Sequence, residues 1–308
     1  MYSYHVPFPS PRPVLEAIYE QDFLPCSYGF RPQRSPQQAL AALEQALVRQ
    51  KVSAVLDIDI RRCFDSMDHE HLLRFVQHRV KDRSILRLLR CWVRAGVWEA
   101  GVVTPSETGT PQGGVISPLL ANSYLHYVVD LWAERRMRKT LRGEMVLVRY
   151  ADDVVVGFQY RDDAETFQRA LATRLAQFGL ALNAAKTRLL EFGRFAAERA
   201  ARRGRKPETF DFLGFTHICG RTRRGAFQVR RKTSRKRLGR VLTAIGRWFA
   251  RCIAMCPSGT SGRSSVGSSG AIISTPASSA TATPCKSYTS GWCGPGGNGS
   301  TGGASGRG

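Results

Sequence analysis

Two adjacent acids, Asp152 and Asp153, are the residues of this 308-residue chain best suited to chemistry. They lie between two short apolar runs rich in β-branched residues, Met145 to Val148 and Val154 to Phe158. Such runs, separated by few polar residues, predict a tight β-hairpin with both acids at its tip. Neighbouring carboxylates repel and raise each other's pKa, so a cation would stabilise the ionised pair. Their hard oxygen atoms suit Mg²⁺ or Mn²⁺, while a solvated Asp-Asp turn is the ordinary alternative.

A third acid of interest lies in the stretch from Ser53 to Ile60, where apolar and acidic residues alternate. Alternation of this kind predicts a strand that carries Asp57 and Asp59 on one face. Taken alone, the pattern fits a solvent-exposed face and a functional site equally well.

The elements that must position these acids follow an α+β order. They are a strand at 53–60, helices, strands at 145–149 and 154–158, a helix at 162–178 and a strand at 209–218. This order predicts the split β-α-β-β-α-β arrangement, an antiparallel sheet with helices on one face. The end of the Asp59 strand would then lie beside the hairpin tip. Three carboxylates within reach of one another point to two divalent ions, which serve in-line phosphoryl transfer.

Composition points to a polyanionic partner. The chain has 46 Lys and Arg against 24 Asp and Glu, a net charge of +22, which favours nucleic acid over an anionic membrane. Cations crowd between Glu198 and Arg240, and phosphate contact is the preferred explanation over a solvated face. No apolar run of about 18 residues predicts a membrane span, and no secretory signal is evident. The eight scattered cysteines argue against zinc and favour reduced thiols, so we expect a cytoplasmic location.

A Gly-rich stretch from Thr110 to Pro118 predicts a loop that opens a helix. Its backbone could approach a ligand closely, and the helix N-terminus could bind an anion. An ordinary Gly-rich turn is the alternative.

Six stretches resemble the successive motifs of group II intron-encoded reverse transcriptases, also called intron maturases. In chain order they are Ser27 to Pro32, Asp59 to Asp65, Gly109 to Asn122, Arg149 to Asp153, Lys186-Thr187 and Phe212 to Phe215. The resemblance implies a reverse-transcriptase palm with partial fingers. It also implies an RNA-directed DNA polymerase, bacterial in type and linked to intron splicing and mobility. Its partners would be template or intron RNA, a DNA primer and dNTPs, with the primer 3′-hydroxyl as nucleophile.

The resemblance also implies roles for individual residues. Asp59, Asp152 and Asp153 would be the catalytic acids. Asp59 and Asp152 would bind two Mg²⁺ ions (Mn²⁺ being an alternative), with the Ile60 carbonyl and Asp153 as further metal-binding groups. The nucleotide-binding residues would be Arg62, Cys63, Phe64, Gln112, Gly113 and Lys186. The primer- or template-binding residues would be Arg31, Tyr150, Leu213 and Gly214.

For Phe64 and Lys186, a purely structural explanation is an alternative to the implied role. Two nearby acids, Asp57 and Asp65, are assigned no catalytic or binding role. Phe64 would reject a ribose 2′-hydroxyl, although core packing explains such a ring equally well. Lys186 would lie near the leaving pyrophosphate, or be an ordinary surface lysine. Asp57 and Asp65 we expect to be structural.

Composition and the resemblance together divide the chain into four segments. Residues 1–13 would be irregular, 14–231 the fingers and palm, 232–255 the start of a thumb or maturase helix, and 256–308 a disordered low-complexity tail. The tail has no Leu and no acid, and we interpret it as an out-of-frame read, which a reading-frame check on the DNA tests. A chain cut at both ends would polymerise weakly or not at all. The alternative function is therefore an inactive RNA-binding remnant that assists intron RNA folding.

Overall fold

The computed structural model describes residues 12–94, 97–99, 102–104, 109 and 116–255. Its helices are α1 (Arg12–Glu20), α2 (Pro36–Arg49), α3 (His69–Arg79), α4 (Arg83–Arg94), α5 (Ser117–Leu125), α6 (Arg138–Thr140), α7 (Arg161–Ala176), α8 (Ala196–Arg202) and α9 (Arg235–Met255). Two π-helical turns, His126–Asp130 and Ala133–Met137, lie between α5 and α6. None of the helices described is long and apolar enough to cross a bilayer.

The strands of the described residues form one large sheet and two smaller ones. They are β1 (Ala54–Arg61), β2 (Val97–Glu99), β3 (Val102–Thr104), β4 (Met145–Tyr150), β5 (Asp153–Phe158), β6 (Ala181–Leu182), β7 (Arg188–Glu191), β8 (Thr209–Phe212), β9 (Phe215–Arg221) and β10 (Phe227–Thr233). The large sheet has the order β4-β5-β1-β6, and β7 also pairs with β1. All of its pairings are antiparallel, so the α+β class and the antiparallel sheet are confirmed.

Local signals fix the helix starts that were readable in the sequence. At α2, the Ser35 side chain accepts from the Gln38 backbone N–H and the Gln38 side chain accepts from the Ser35 N–H, a complete capping box. At α3, the Asp68 side chain accepts from the His71 N–H. The sequence predicts both starts, with Ser35 at N-cap, Pro36 at N1 and Gln38 at N3 of one helix and Asp68 as the cap of the next, and the structure confirms them.

The predicted strand at 209–218 is wrong in two respects. It is two strands, β8 and β9, joined by a turn at Leu213 and Gly214, which have φ of 50° and 78°. Together with β10 these strands form a separate three-stranded sheet. The predicted arrangement included this strand in the large sheet, but there β1 pairs instead with β6 and β7, two short strands that were not predicted.

Apolar residues fill both faces of the large sheet. On one face, side chains such as Leu56 and Val156 pack with α1, α3, α4, α5 and α7. On the other face, Val55, Val148 and Val155 pack with α2 and the three-stranded sheet. The prediction of helices on one face alone is therefore incomplete, because α2 covers the second face.

His217 on β9 makes stability depend on pH. Its ring is fully buried and stacked on Phe210, with centroids 4.7 Å apart and planes 5° apart. Burial, and then the charge of Arg231, lowers the pKa of His217 to about 4. The unfolded chain therefore takes up a proton more readily between pH 4 and 6.5, and stability falls as pH drops through that window, by at most about 3 kcal/mol.

We therefore expect His217→Leu to flatten the fall of Tm between pH 7 and pH 4.5, measured by circular dichroism. The matched control is His78→Leu, which changes an exposed histidine on α3 and should follow the wild-type curve. A His217→Leu curve as steep as that of the wild type would contradict the assignment.

Candidate active site

The hairpin tip and the end of β1 bring the three predicted catalytic acids to one place. Asp59 of β1 lies directly opposite Asp153 of β5, and Tyr150 of β4 lies opposite Asp153 on its other side. Asp152 lies in the two-residue turn between β4 and β5, after Ala151, which has a φ of 57°. The predicted hairpin and the neighbouring β1 end are confirmed, and the catalytic roles of these acids stay predictions.

Burial and neighbouring negative charges both act on Asp153 at the hairpin tip. Desolvation in the cleft, followed by the negative charges of Asp152, Asp57 and Asp59, raises the pKa of Asp153 to about 6. Lys186 opposes this rise. Asp57, which we expected to be structural, is paired with Arg188 through Nη2 and Oδ2 at 3.3 Å. The tip is therefore a site of concentrated negative charge that a cation would stabilise.

The turn after β6 holds the Asp59 carboxylate. Asn183 Nδ2 donates to Asp59 Oδ2 at 2.9 Å, and Lys186 Nζ donates to Asp59 Oδ1 at 3.3 Å. The Asn183 backbone N–H also donates to the Asp59 carbonyl at 2.9 Å. Lys186 thus joins the acids, whereas Asn183 is a site residue that the sequence analysis missed. Its position three residues before Lys186, in the same turn, was the available signal.

The donors present fit a magnesium site in kind, because they are carboxylates, and desolvation together with their mutual repulsion raises the pKa of Asp153. Their side chains are not yet arranged as a complete metal site, because within the described ranges no group of three or more Asp, Glu, His or Cys side chains is positioned to hold an ion. On binding an ion, the Asp59 carboxylate would lose its contact with Lys186 Nζ and contact the ion instead.

Removing the Asp153 charge should stabilise the metal-free protein at neutral pH. Because the folded-state pKa of about 6 exceeds the ordinary value of 3.8, ionisation favours the unfolded chain as pH rises from 3.8 to 6. We expect Asp153→Asn to raise Tm above the wild-type value at pH 7.5 in EDTA, and the difference to vanish near pH 4. Added Mg²⁺ should stabilise the wild type more than the variant. A matched change, Asp162→Asn, affects an exposed acid of α7 and should show neither effect.

The segment after β1 carries three of the predicted nucleotide-binding residues. Arg62 is exposed with a φ of 44°, and its carbonyl accepts from the N–H groups of Asp65 and Ser66 in a tight turn. The Cys63 side chain is buried, and Phe64 is partly buried against the core, so its ring does have a packing role.

Gly109, the first residue of the motif that contains the predicted nucleotide-binding loop, packs against this same segment. The Gly109 N–H donates to the Met67 carbonyl at 2.7 Å, and a Cβ on Gly109 would lie 2.7 Å from the Phe64 carbonyl oxygen. Gln112 and Gly113 lie outside the described residues, so their roles stay predictions. Ile60 is buried opposite Leu182 of β6, and the role of its carbonyl is likewise a prediction.

An open cleft of about 890 Å³ connects Asp153 with the turn between β8 and β9. Leu213 and Gly214 line it, as the predicted primer contacts would require. Its other residues include Arg231, Arg237 and Arg240. A strand of nucleic acid in this cleft would therefore meet cations beside the acidic tip.

Arg31 does not reach this cleft through its side chain, which is 3% exposed and bound inside the fold. Its Nη2 lies 2.5 Å from Glu20 Oε1, and its Nη1 donates to the carbonyls of Leu24 and Ser27 at 2.9 Å. The prediction that Arg31 binds primer or template is wrong, because its donors are already used to hold this turn.

Both the sequence and the fold are similar to those of known proteins. A family model described as reverse transcriptase (RNA-dependent DNA polymerase) matches residues 12–217. The group II intron-encoded protein LtrA of Lactococcus lactis subsp. cremoris is 40% identical over 127 residues, which are 41% of this chain and 21% of that protein. An uncharacterised 91 kDa protein in the cob intron of Schizosaccharomyces pombe is 39% identical over 141 residues, 46% of this chain and 17% of that protein.

The chain thus spans about a fifth of the length of these curated relatives. Among solved structures, apo telomerase from Candida tropicalis matches with a TM-score of 0.51 and 11% identity, over 71% of this chain and 39% of that one. At this identity the likeness concerns the fold alone, and it confirms the predicted palm-like fold.

Proposed function

Because this chain belongs to the reverse transcriptase family, of the kind encoded by group II introns, we propose that it is an RNA-directed DNA polymerase. It would transfer nucleotides from dNTPs to a primer 3′-hydroxyl. The observation that carries the proposal is the register of Asp59 against Asp153, with Asp152 in the adjoining turn. This register supports a function in which clustered carboxylates hold cations beside a polyanionic substrate.

Asp59 and Asp152 would hold two Mg²⁺ ions, with the Ile60 carbonyl and Asp153 as further metal-binding groups. When bound, such ions supply charge neutralisation and favour in-line displacement at phosphorus. Asp153 adds negative charge that strengthens the attraction for cations once it is ionised, above about pH 6. Asn183 orients the Asp59 carboxylate, and Lys186, once released by Asp59, would be free to contact the triphosphate.

The cleft supports the assignment of the substrate. The hairpin turn of Leu213 and Gly214 faces the same space as Asp153, so a primer end resting on this turn would lie beside the acids. Arg237 is held there by its Nη1, which donates to the Leu213 carbonyl at 3.4 Å, and by the Phe215 ring, whose centroid is 5.3 Å away. The cleft thus offers cations for phosphates at fixed positions.

Primer extension tests the proposal. The purified full chain is given a poly(rA)/oligo(dT) template and dTTP with Mg²⁺, and is compared with Asp152→Ala. The matched control is Asp162→Ala, an exposed acid at the opposite end of the β4–β5 hairpin. We expect extension by the wild type and the control and none by Asp152→Ala. Equal extension by all three would contradict the site.

A second function, RNA binding without polymerisation, is favoured by cations that lie outside the cleft. Arg202, Arg203, Arg205 and Lys206 are exposed at the end of α8 and beyond it. Salt-dependent RNA binding that survives in Asp152→Ala, together with no extension by the wild type, would select this function.

A further inference from the structure

Arg149, one residue before Tyr150 at the end of β4, is buried beneath the hairpin tip with no exposed surface. Its guanidinium uses each of its five N–H groups. Nε donates to Asp130 Oδ1 at 2.7 Å, and Nη2 donates to Asp130 Oδ2 at 2.6 Å and to Ser27 Oγ at 2.8 Å. Nη1 donates to Asn122 Oδ1 at 2.9 Å and to the Ala151 carbonyl at 3.0 Å.

The partner of this arginine is an equally buried acid in an unusual stretch of helix. Asp130 has no exposed surface and ends the π-helical turn His126–Asp130. A π-helical turn holds an extra residue and so changes which side chains face the sheet, and such turns are frequent at functional sites. Burial alone would lower the pKa of Arg149, but Asp130 raises it above its ordinary value, so the guanidinium stays charged.

The contact with the Ala151 carbonyl reaches the turn itself. Ala151 has a φ of 57°, a left-handed conformation that is unfavourable for a residue with a side chain. Gly29 packs against the preceding peptide of the turn, because a Cβ on Gly29 would lie 2.3 Å from the Ala151 nitrogen. The Gly29 carbonyl is fixed in turn by Asn122 Nδ2 at 2.5 Å. The turn that presents Asp152 is therefore held both by the Arg149 hydrogen bond and by the close packing of Gly29.

We infer that Arg149, bound by Asp130 and Asn122, is a positioning residue that fixes the turn at Ala151 and so sets where the Asp152 carboxylate points. The inference rests on the proposed function, because it gives that turn a catalytic purpose. Stability alone is a weak reason to retain such a pair, since buried ion pairs add little over apolar residues of similar volume. A planar group with five directed donors instead fixes geometry, which an ammonium group cannot reproduce.

The test replaces Arg149 by lysine, which keeps the charge beside Asp130 but loses the forked geometry. The matched control is Arg31→Lys, the same change at another buried arginine paired with an acid, which does not contact the turn. Three measurements are made on the full chain: amide hydrogen exchange of the peptide containing 150–153, Mn²⁺ binding by electron paramagnetic resonance, and single-nucleotide extension kinetics.

We expect Arg149→Lys to remain folded, to exchange the turn amides at least about tenfold faster, and to bind Mn²⁺ more weakly. Its kcat should fall about 100-fold with a KM for dTTP close to that of the wild type, because misplacement of a catalytic group acts on the transition state. Arg31→Lys should keep turn exchange and Mn²⁺ binding unchanged. If Arg149→Lys does not fold, Asp130→Glu, which keeps both charges and shifts the guanidinium, takes its place.

Wild-type turn exchange in a folded Arg149→Lys variant would overturn the inference, as would an equal effect of Arg31→Lys on the turn. A wild-type chain without extension or Mn²⁺ binding would instead contradict the proposed function. In that case faster turn exchange in Arg149→Lys would still support the positioning role.

Discussion

Leucine at position 130 should destabilise the wild type and yet stabilise an Arg149→Met variant. In the wild type, Asp130→Leu leaves a fully buried guanidinium without its counter-charge, which costs about 3–5 kcal/mol. In Arg149→Met the unpaired buried charge is Asp130 itself. Replacing that acid by leucine then removes the charge, so the second change should recover stability.

Urea unfolding of the four proteins in this cycle measures the effect. The signature is a reversal of sign: Asp130→Leu lowers the free energy of unfolding in one background and raises it in the other. The recovery should be incomplete, because Asn122, Ser27 and the Ala151 carbonyl all lose a donor when Arg149 is replaced. Additive effects within about 0.5 kcal/mol would show that the two residues are independent.

Gly29→Ala should reduce polymerase activity about 100-fold or more, since displacement of a catalytic group by about 1 Å has effects of this size. The added methyl group would lie 2.3 Å from the Ala151 nitrogen and 3.0 Å from the Tyr150 carbonyl carbon. Both are backbone atoms, so the clash can be relieved only by moving the turn or the Gly29 segment. The turn amides should also exchange faster.

Gly239→Ala is the control for this change. Gly239 lies in α9, and a Cβ there meets nothing within 4 Å. Alanine in an exposed helix is favoured over glycine by about 1 kcal/mol, so this variant should be slightly more stable and equally active. Normal extension and normal turn exchange in Gly29→Ala would show that the close approach is not functionally important.

The sequence was sufficient to predict the hairpin and its relation to β1. The runs on either side of the acids are short, apolar and rich in β-branched residues. A β-hairpin is one of the few structures in which both runs can be buried, so the pattern predicts it. Alternation along β1 then placed Asp59 on a defined face near the tip. Helix starts at Ser35 and Asp68 were equally readable, because capping depends on neighbouring residues alone.

Elements that depend on tertiary contacts could not be predicted from the sequence. β6 has two residues and β7 has four, too short for an alternating pattern, and their pairing with β1 defines them. The turn between β8 and β9 lies within an apolar run, Phe212 to Phe215, where Leu213 adopts a positive φ that is rare for leucine. The strand propensity of these residues therefore predicted one continuous strand at 209–218.

The Arg149–Asp130 pair was hidden for a different reason. An arginine beside two acids suggests a solvated polar cluster, and a single acid in a helix suggests an exposed face. The residues that flank Arg149 and Asp130 in sequence do not indicate that either side chain is fully buried. Only the packing of the π-helical turn beneath the hairpin brings them together.

The contacts beneath the tip also bear on the order in which the chain folds. Arg149 and Ser27 are 122 residues apart in sequence, and Asn122 and Gly29 are 93 apart. Contacts of such long range form only after large loops have closed, so we expect the tip to acquire its final shape late, after local helices and the hairpin strands. If the chain acts as proposed, a nascent or partly folded molecule would carry its basic surface, and so could attract nucleic acid, before it carries a competent arrangement of acids. Binding would then precede reactivity during biogenesis, and the proposed catalysis would be restricted to molecules in which the two distant chain segments are already in contact.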